Sequence, residues 1–432
     1  MTMLMNKKQE IKNRIDLINK GETPTGYKKS FTKVLPKDWN EDKLETLCIK
    51  RTETAGNREL ETLSISAGIG FVNQAQKFGR ELSGKQYEHY IIINKGDFAY
   101  NKGNSKKYPQ GCVYLLEDRE EAAVPNVFNT FKLKSNCING YYKQLFQIGY
   151  LNQQLHKYIN FGVRNDGLLN LYDSDFYNVL LPCPNIKEQE KIAEILSCCD
   201  KAIELKEKLL NEQNKQKEWI QQNILTGKQR LKGFNKAWEK LALKNIFTEH
   251  KKISTGIEEV HSVAVKKGIV NQLEHLGKCC AAEDTSNYNL VEPGDVVYTK
   301  SPTGKFPYGI IKQSKLTYNA IVSPLYGVFK PKTFELGAFL DEYFSSSVNT
   351  NNYLKPIIQK GAKNTINITN TTFLSNYVKI PTDIFEQKAI YNLISINNKK
   401  ISILEQELEQ YKQLKKSLSQ LLLTGIVRVN EV

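Results

Sequence analysis

The sequence predicts an α+β protein built as a tandem duplication with pseudo-two-fold symmetry, in which two long helices join and separate two globular domains. Three observations support this prediction. Two blocks of motifs recur in the same order and spacing, two long segments lack proline and glycine, and the remainder alternates short β-branched and aromatic runs with turn residues. A chain of 432 residues is long enough for two or three domains.

Two blocks of residues recur 198 positions further along the chain, and they define the duplication. The first block comprises Ile186, Glu188, Gln189, Ile192, Leu225, Thr226, Gly227 and Arg230, matched by Ile384, Glu386, Gln387, Ile390, Leu423, Thr424, Gly425 and Arg428. The second comprises Gly96, Asp97, Tyr100, Lys102, Lys107, Tyr108, Pro109 and Gly111, matched by Gly294, Asp295, Tyr298, Lys300, Lys305, Phe306, Pro307 and Gly309. Because order and spacing are both kept, chance is an inadequate explanation.

Each copy ends in a segment that predicts one long helix. The first runs from Ile186 to about Thr226 without proline or glycine, and Gly227 is a typical helix end. At 1.5 Å per residue, such a helix is about 60 Å long. Apolar residues repeat by three and four in both copies, which is typical of a coiled coil. The predicted helix-pairing residues are Ile192, Leu196, Ile203, Leu210, Ile220 and Ile224 with Ile390, Ile394, Ile401, Leu404, Leu408, Leu418 and Leu422.

The two helices are expected to pair in antiparallel orientation. Each is followed by a globular segment or by the chain end, so an antiparallel pair places one domain at each end of the pair. A parallel pair would place both domains at the same end. The alternative is two independent amphipathic helices, each lying on its own domain. Matched length and register favour pairing.

The segments between the helices predict mixed α+β domains. Short runs rich in valine, isoleucine and tyrosine, such as those at 90–93 and 296–298, are separated by glycine, proline and asparagine. The segment from Ile11 to Gly21 resembles the ends of the long helices, so the termini are expected to meet. The predicted divisions are an N-terminal helical segment (1–27), a first domain (28–183), a first helix (184–230), a second domain (231–380), a second helix (381–427) and a tail (428–432).

The composition is that of a basic protein. Lysine and arginine number 61 against 46 aspartate and glutamate residues, which gives a net charge of +15. Nucleic acid fits this charge, because each phosphate contact releases counterions; a basic protein without such a partner fits it equally well. The eight cysteines lack zinc-site spacing and are expected to be reduced and mostly buried. No membrane span or signal peptide is recognisable, so a cytoplasmic protein is expected.

No constellation of residues predicts catalysis. An enzyme that modifies adenine would need a cofactor-binding glycine turn and an Asn or Asp followed by two prolines, and the chain has no such Pro-Pro motif. The five histidines show neither a repeated spacing nor a carboxylate partner motif. We therefore expect no catalytic residue, no metal and no cofactor in this chain.

The second repeated block supplies the candidate DNA-binding residues, because it places cations beside aromatic rings in glycine-rich and proline-rich loops. For Gly96, Asp97, Pro109 and Gly111, a purely structural role in shaping a hairpin is the favoured alternative. Arg164 and Asn165, matched by Lys363 and Asn364, are side-chain types that read purine edges. The predicted DNA-binding residues are Tyr100, Asn101, Lys102, Lys107, Tyr108, Arg164, Asn165, Tyr298, Lys300, Lys305, Phe306, Lys363 and Asn364.

The ordered set of motifs resembles the specificity subunits of type I restriction-modification systems over nearly the whole chain. The markers are Pro182 and Pro381, the Glu-Gln pairs at 188–189 and 386–387, the Thr-Gly pairs at 226–227 and 424–425, and the Gly-Asp-x-x-Tyr motifs at 96–100 and 294–298. One departure is that Ala99 and Asn101 are replaced by Val297 and Thr299 in the second copy, so a contact made by Asn101 need not carry over.

This resemblance implies that each domain is a target-recognition domain reading one half of a bipartite site in double-stranded DNA. The helices would space the two domains and dock two modification (methyltransferase) subunits. Restriction and translocase subunits would join that core, and S-adenosylmethionine, ATP and magnesium would belong to these partners. The related alternatives are the recognition subunit of a restriction enzyme that cuts both sides of its site, and a coiled-coil scaffold that does not bind DNA. An RNA-binding or nuclease function fits the charge but lacks carboxylate clusters for metal.

Overall fold

The structure is a computed structural model that describes residues 2–79, 84–103, 107–159, 168–277, 282, 284–360 and 366–429. The chain forms two units: the first comprises Met1–Lys206 and Glu407–Val432, and the second comprises Glu207–Gln406. Each unit therefore combines one predicted globular domain with a part of each long helix. No helix in the described part of the chain is long and apolar enough to cross a membrane.

The first unit begins with a helix and then alternates short strands and helices. Its elements are α1 (Thr2–Asn19), β1 (Tyr27–Lys29), β2 (Val34–Pro36), β3 (Asn40–Lys43), α2 (Leu44–Leu47), β4 (Cys48–Lys50), β5 (Leu63–Ser66), β6 (Gly70–Asn73), α3 (Gln74–Phe78), β7 (Ile91–Asn94), β8 (Asp97–Asn101), β9 (Cys112–Leu115), β10 (Glu121–Val124), β11 (Asn129–Leu133), α4 (Asn139–Gln147), α5 (Asn152–Tyr158), α6 (Asp173–Tyr177), β12 (Leu180–Cys183) and the start of α7 (Ile186–Trp219).

The second unit has a similar order of elements. They are β13 (Glu239–Ala242), β14 (Phe247–Glu249), β15 (His261–Ala264), β16 (Gly268–Asn271), α8 (Gln272–Leu276), β17 (Asn289–Val291), β18 (Val296–Thr299), β19 (Ile310–Gln313), β20 (Ala320–Val322), β21 (Gly327–Pro331), α9 (Phe334–Ser345), α10 (Ser347–Leu354), β22 (Gln359–Lys360), β23 (Ile366–Asn367), α11 (Asn370–Ser375), β24 (Tyr377–Ile380) and the start of α12 (Ile384–Leu423).

Both units contain a four-stranded sheet with the same strand order. The order is β4-β11-β8-β9 in the first unit and β14-β21-β18-β19 in the second, and all neighbours are antiparallel. The two-stranded pairs correspond as well: β7 with β10 and β17 with β20, β5 with β6 and β15 with β16, β3 with β12 and β13 with β24. The matching strand orders agree with the repeat read from the sequence.

The long helices begin and end near the predicted residues. Helix α7 starts at Ile186, passes into a π-helical turn at Ile220–Ile224 and is followed by Gly227, whose φ is +68°. Helix α12 ends at Leu423, and Gly425 has φ +69°. A positive φ at these glycines stops each helix, because residues with a Cβ adopt this conformation at a cost.

The predicted helix-pairing residues fall into two groups. In the first unit, Ile192 and Leu196 of α7 share a core with Leu422 of α12 and with the globular domain. The same holds in the second unit for Ile220, Ile224, Ile390 and Ile394. Of the remainder, Ile401, Leu404 and Leu408 are buried, while Ile203, Leu210 and Leu418 are half-buried. The ends of both helices therefore pack against a domain as well as against each other.

Two smaller expectations have different outcomes. The N-terminal and C-terminal segments do meet in the first unit, where the Tyr27 hydroxyl donates a 2.7 Å hydrogen bond to the Gly425 carbonyl oxygen and Arg14 donates to the Ile426 carbonyl oxygen. The cysteines are free thiols in the described part of the chain, as expected. The expectation that most are buried is wrong, because only Cys48 and Cys137 of the six described are buried.

Candidate nucleic-acid interface

A buried aspartate anchors the predicted DNA-binding loop of the first unit, residues 102–111. Asp97 is the first residue of β8, and its carboxylate accepts a 2.8 Å bond from the Asn94 backbone N–H. It also accepts two bonds from the Arg51 guanidinium, at 2.8 and 3.0 Å. A buried carboxylate needs such donors to remain charged. Asp97 therefore fixes the turn at Gly96 and the start of the strand that leads into the loop.

Asp295 has the same position in the second unit, but its partner is a histidine. The Asp295 carboxylate accepts a 2.7 Å bond from the Glu292 backbone N–H and lies 2.9 Å from His250 Nε2. Because the Lys252 backbone N–H donates to His250 Nδ1, the ring proton is on Nε2, which donates to Asp295. Burial raises the pKa of Asp295, and the bonds from Glu292 and His250 oppose this shift.

His250, Glu292 and Asp295 also form the sole His, Cys, Asp and Glu group with metal-binding spacing within the described ranges. Their ligand atoms lie within 4.8 Å of one another. However, Nε2 of His250 carries the proton, and Glu292 is paired with Lys252 at 2.6 Å. The His250–Asp295 hydrogen bond is the equivalent of the Arg51–Asp97 pair in the first unit. The potential metal ligands are therefore already bonded to other groups of the protein.

Tyr100 and Tyr298 are core residues, which corrects their prediction as DNA-contacting side chains. Both rings are fully buried: Tyr100 stacks on Phe176 at 4.3 Å between centroids, and Tyr298 stacks on Phe373 at 4.4 Å. Burial raises the pKa of both phenols. Phe306 is buried as well. Side chains without exposed surface cannot reach a duplex, so the repeated aromatic positions stabilise the loops instead.

The tyrosine hydroxyls and two glycines close the loops. Tyr100 donates to the Gln110 carbonyl oxygen at 2.8 Å, and Tyr298 donates to the Tyr308 carbonyl oxygen at 2.9 Å. A Cβ at Gly111 would lie 2.7 Å from the Tyr100 ring, and one at Gly309 would lie 2.9 Å from the Tyr298 ring. The structural role expected for the repeated glycines is therefore confirmed at these two positions.

The predicted polar loop residues differ in their exposure. Lys102 is paired with Asp173 at 2.5 Å, and its side chain is 16% exposed. Lys300 is half-buried, and desolvation lowers its pKa. Lys107 and Lys305 are exposed, and Lys107 Nζ lies 5.7 Å from the centroid of the half-buried Tyr108 ring. Among the predicted lysines in the described segments, Lys107 and Lys305 are thus the ones free to meet a phosphate.

Asn101 is engaged within the protein. Its side-chain amide donates to the Ile65 carbonyl oxygen at 3.2 Å and accepts from the Gly103 backbone N–H at 2.8 Å. The role of Asn101 in this structure is to shape the start of the loop, and its prediction as a DNA contact stays untested.

Four predicted residues, Arg164, Asn165, Lys363 and Asn364, lie outside the described residues. The chain on either side of them is informative. Leu168 forms an isolated antiparallel bridge with Gly103, and the Leu169 backbone N–H donates to the Lys102 carbonyl oxygen at 2.9 Å. In the second unit, β22 pairs with β23. Leu168 and Leu169 therefore lie beside Lys102 and Gly103.

Sequence reasoning missed a buried polar cluster at the base of each domain. In the first unit, Glu188 accepts bonds from Trp39 Nε1 at 3.0 Å and from Arg428 Nε and Nη2 at 2.7 and 2.8 Å. In the second unit, Glu386 accepts from Trp238 at 3.1 Å and from Arg230 at 2.7 and 2.6 Å. All these residues recur in the sequence, so the repeat could have identified them. The repeat does not show which glutamate contacts which arginine.

Sequence reasoning also missed a second polar cluster, which links each domain to both long helices. The negatively charged residue of this cluster has a different position in the two units. In the first unit, Asp200 accepts from Gln144 at 2.6 Å and from Lys415 at 2.5 Å. In the second unit, Lys217 Nζ lies 3.2 Å from the Glu342 carboxylate. Asn398 joins the two residues, because its amide oxygen accepts a 2.8 Å bond from Lys217 and its amide nitrogen donates a 3.3 Å bond to Glu342. Each cluster has one lysine, one carboxylate and one amide. The carboxylate lies on the helix in the first unit, at Asp200, and on the domain in the second, at Glu342.

Comparison with known proteins finds several that are similar to this chain. Residues 36–215 match the family model described as the type I restriction modification DNA specificity domain. A putative type I restriction enzyme MjaX specificity subunit from Methanocaldococcus jannaschii is 24% identical over 93% of this chain and 97% of its own length. The MjaVIII specificity subunit from the same organism is 26% identical over 62% of this chain and 67% of its own length.

A solved structure has a similar fold over almost its whole length. The type I restriction-modification system S subunit from M. genitalium matches with a TM-score of 0.55 and 13% identity, covering 89% of this chain and 96% of that chain. At this identity the likeness concerns the fold. The family model, the relatives and the repeated motifs agree: residues 36–215 match a type I restriction modification DNA specificity domain, and the chain is similar over nearly its whole length to a type I restriction enzyme specificity subunit.

Proposed function

We propose that this chain is the DNA-recognition subunit of a type I restriction-modification complex, with each globular domain reading one half of a bipartite site in double-stranded DNA. One observation carries the proposal: both domains keep the same Asp, Tyr and Gly anchors beneath a loop whose sequence differs between the copies, at 103–106 and 301–304. Asp97 and Asp295 occupy the same position, as do Tyr100 and Tyr298. A constant frame that presents variable loops is what two related readers of different base sequences require.

The proposed antiparallel coiled coil is supported by contacts within each unit. In the first unit, Lys206 contacts Glu407 at 2.5 Å, and Asp200, earlier in α7, contacts Lys415, later in α12. In the second unit, Lys217 contacts Asn398 at 2.8 Å. Contacts that run forward along one helix and backward along the other are the mark of antiparallel pairing. The repeated sheets and clusters support a pseudo-two-fold tandem repeat.

The long helices also present apolar surface suited to partner subunits. Leu205 of α7 and Leu414 of α12 are exposed in the first unit. In the second unit, Leu209, Trp219, Ile396 and Ile403 are exposed. Exposed apolar side chains along a helix commonly mark protein-protein contacts. Two modification subunits docked on the helices are therefore part of the proposal, and restriction and translocase subunits would join that complex.

The similarity to specificity subunits supports a non-catalytic role for this chain. The proposed division of labour assigns methyl transfer, ATP hydrolysis and cleavage to the partners, which would bind S-adenosylmethionine, ATP and magnesium. The chain would act in the cytoplasm, where it meets DNA. Its own contribution is recognition: cations such as Lys107 and Lys305 hold the backbone, and neighbouring loop residues read base edges.

Methylation mapping tests the proposal directly. The chain is expressed with its cognate modification subunit, and the methylated positions of the host genome are determined. We expect one bipartite motif, and none in cells that express either chain alone. Methyl transfer by the purified chain alone, or a complex that methylates without sequence preference, contradicts the proposal. Failure of the purified chain and of its complex to bind DNA even at low salt would favour a scaffold instead.

A further inference from the structure

An exposed aromatic residue stands on a rigid hairpin tip in the first unit. Strands β1 and β2 pair antiparallel, and residues 30–33 form the tip between them. The Ser30 and Thr32 hydroxyls and the Phe31 backbone N–H all donate to the Glu41 carboxylate. The Thr32 hydroxyl also lies 3.0 Å from the Tyr150 hydroxyl. The polar groups of the tip are thus turned inward, while the Phe31 side chain points outward and is 93% exposed.

A cavity lined largely by polar residue types, none of them a carboxylate, adjoins this tip. Its volume is about 420 Å³, and none of its lining residues is acidic. Lys33 Nζ lies 4.7 Å from the Tyr150 ring centroid, and burial lowers the pKa of this lysine. Lys157 lines the cavity from α5. The Glu41 carboxylate does not line this cavity, and its oxygens accept the bonds from Ser30, Phe31 and Thr32. An anion entering the cavity meets lysine and amide groups.

The cavity is continuous with the loop already proposed to contact DNA. Gln110 lines it, and the Gln110 carbonyl oxygen is the acceptor of the Tyr100 hydroxyl bond. Gln110 belongs to the same loop as Lys107, which is exposed. The hairpin tip and the loop therefore border one surface of the first unit.

The second unit has no equivalent of this hairpin. The corresponding residues 225–238 are all described, and they contain no strand. This stretch has two aromatic residues, of which Phe234 is half-buried and Trp238 is buried. Whatever the Phe31 hairpin binds is therefore bound by one domain and not by the other.

We propose that the Phe31 hairpin and its cavity bind double-stranded DNA immediately outside the half-site read by the first domain. A backbone phosphate enters the cavity at Lys33 and Lys157, and the Phe31 ring packs against sugars or base edges in the minor groove. Cations hold phosphates regardless of sequence, and exposed apolar side chains on rigid elements are used as groove wedges. This inference rests on the proposed function and adds a one-sided contact to it.

The test uses the complex of this chain with its cognate modification subunit, on duplexes that contain the mapped motif. Flanking DNA is shortened on one side or on the other, and affinity is measured by fluorescence anisotropy over a salt series. For the unaltered complex, shortening the flank next to the half-site of the first domain is expected to weaken binding. Shortening the flank next to the other half-site is expected to leave the affinity unchanged. Phe31→Ala should weaken binding to the fully flanked duplex about fivefold. Lys33→Gln should lower the salt slope by about one unit.

Both variants are expected to lose their effect on the duplex that lacks that flank, and the methylated motif should stay the same. Lys132→Ala, which removes an exposed lysine of β11 outside the cavity, serves as the matched control. Thermal unfolding of each variant verifies the fold. If Phe31→Ala and Lys33→Gln bind all duplexes like the unaltered complex, the inference is wrong while the proposed function stands.

Two further outcomes would also overturn the inference. Loss of the modification subunit from the Phe31→Ala complex, seen by mass photometry without DNA, would show that the hairpin docks a protein. Equal weakening on every duplex, whichever flank is present, would place Phe31 within the half-site contact. Absence of binding by the unaltered complex to any duplex would instead contradict the proposed function itself.

Discussion

Arg428 donates two hydrogen bonds to Glu188, a residue 240 positions earlier in the chain. The same guanidinium bonds both oxygens of Asp38, at 2.8 and 2.7 Å, and lowers the pKa of that carboxyl. Glu188 is buried and lies at the first turn of α7, whereas Arg428 follows the end of α12. One side chain thus joins the first domain to the start of one long helix and the end of the other.

Arg428→Ala is expected to destabilise the first unit by about 3 kcal/mol, because it leaves the buried Glu188 carboxylate without a cation. Urea unfolding followed by circular dichroism measures the loss. Arg58→Ala is the control, since Arg58 pairs with Glu121 at the surface, and little change is expected there. A loss at Arg428 no larger than at Arg58 would show that the Trp39 bond alone satisfies Glu188.

The redistributed clusters predict a compensating pair of substitutions. Gln144→Glu places a second carboxylate beside Asp200, and Asp200→Asn removes the carboxylate that Lys415 contacts. Each single substitution should lower the free energy of unfolding by about 1 kcal/mol. The double variant recreates the Lys217, Glu342 and Asn398 arrangement of the second unit, so its loss should be smaller than the sum of the two. Additive losses in the double-mutant cycle would contradict the equivalence of the clusters.

Asp97→Asn and Asp295→Asn should differ in cost. Asp97→Asn removes the carboxylate that accepts two hydrogen bonds from Arg51. The free energy of unfolding should therefore fall by about 2 kcal/mol at neutral pH. Desolvation raises the pKa of Asp295 above the ordinary aspartate value of about 3.9. The stability that this shift contributes is therefore complete below the ordinary value and is lost as the pH rises through the folded-state pKa. Asp295→Asn removes this buried charge and should cost less. Equal losses in urea unfolding at neutral pH would refute the difference.

Ser314→Ala should leave the second unit as stable as before or more stable, by up to about 1 kcal/mol. The Ser314 hydroxyl is fully buried and has no hydrogen-bond partner in the described part of the chain. A buried polar group without a partner costs free energy. The equivalent residue of the first unit is Leu116, and Leu116→Ser should be strongly destabilising. Clear destabilisation by Ser314→Ala would indicate a water or ligand bound at this hydroxyl.

Lys107→Ala and Lys305→Ala should each lower the salt slope of DNA binding by about one unit and weaken all sequences similarly. Lys102→Ala is the internal comparison, because Asp173 already neutralises that lysine. Anisotropy titrations of the complex over a salt series measure the slopes. An unchanged slope for both exposed lysines would remove the two hairpin loops from the backbone contact.

Much of the architecture could be predicted from the sequence, because long helices and tight turns are encoded locally. The absence of proline and glycine located α7, and Gly227 and Gly425 located the helix ends. The site was predicted less well. Tyr100 and Lys102 recur together, but recurrence does not distinguish a buried stacking ring from an exposed contact. That distinction depends on tertiary partners such as Phe176 and Asp173, which come from distant parts of the chain.

The partners of Glu188 and Glu386 were out of reach for a related reason. A motif that occurs twice offers two possible pairings, and the order of residues along the chain does not choose between them. The structure pairs Glu188 with Arg428 and Glu386 with Arg230. Each carboxylate therefore meets an arginine that follows the opposite helix.

The division of the chain between the two units sets the order in which they can be completed during synthesis. The second unit is one continuous stretch, Glu207–Gln406, and all its residues have been synthesised before α12 is finished. The first unit, although it starts earlier, needs residues 407–432. At typical translation rates, Glu188 waits about 10 to 50 s for Arg428. The domain that is translated first is thus the last to close, and a chain cut short after Gln406 contains every residue of the second unit but not of the first.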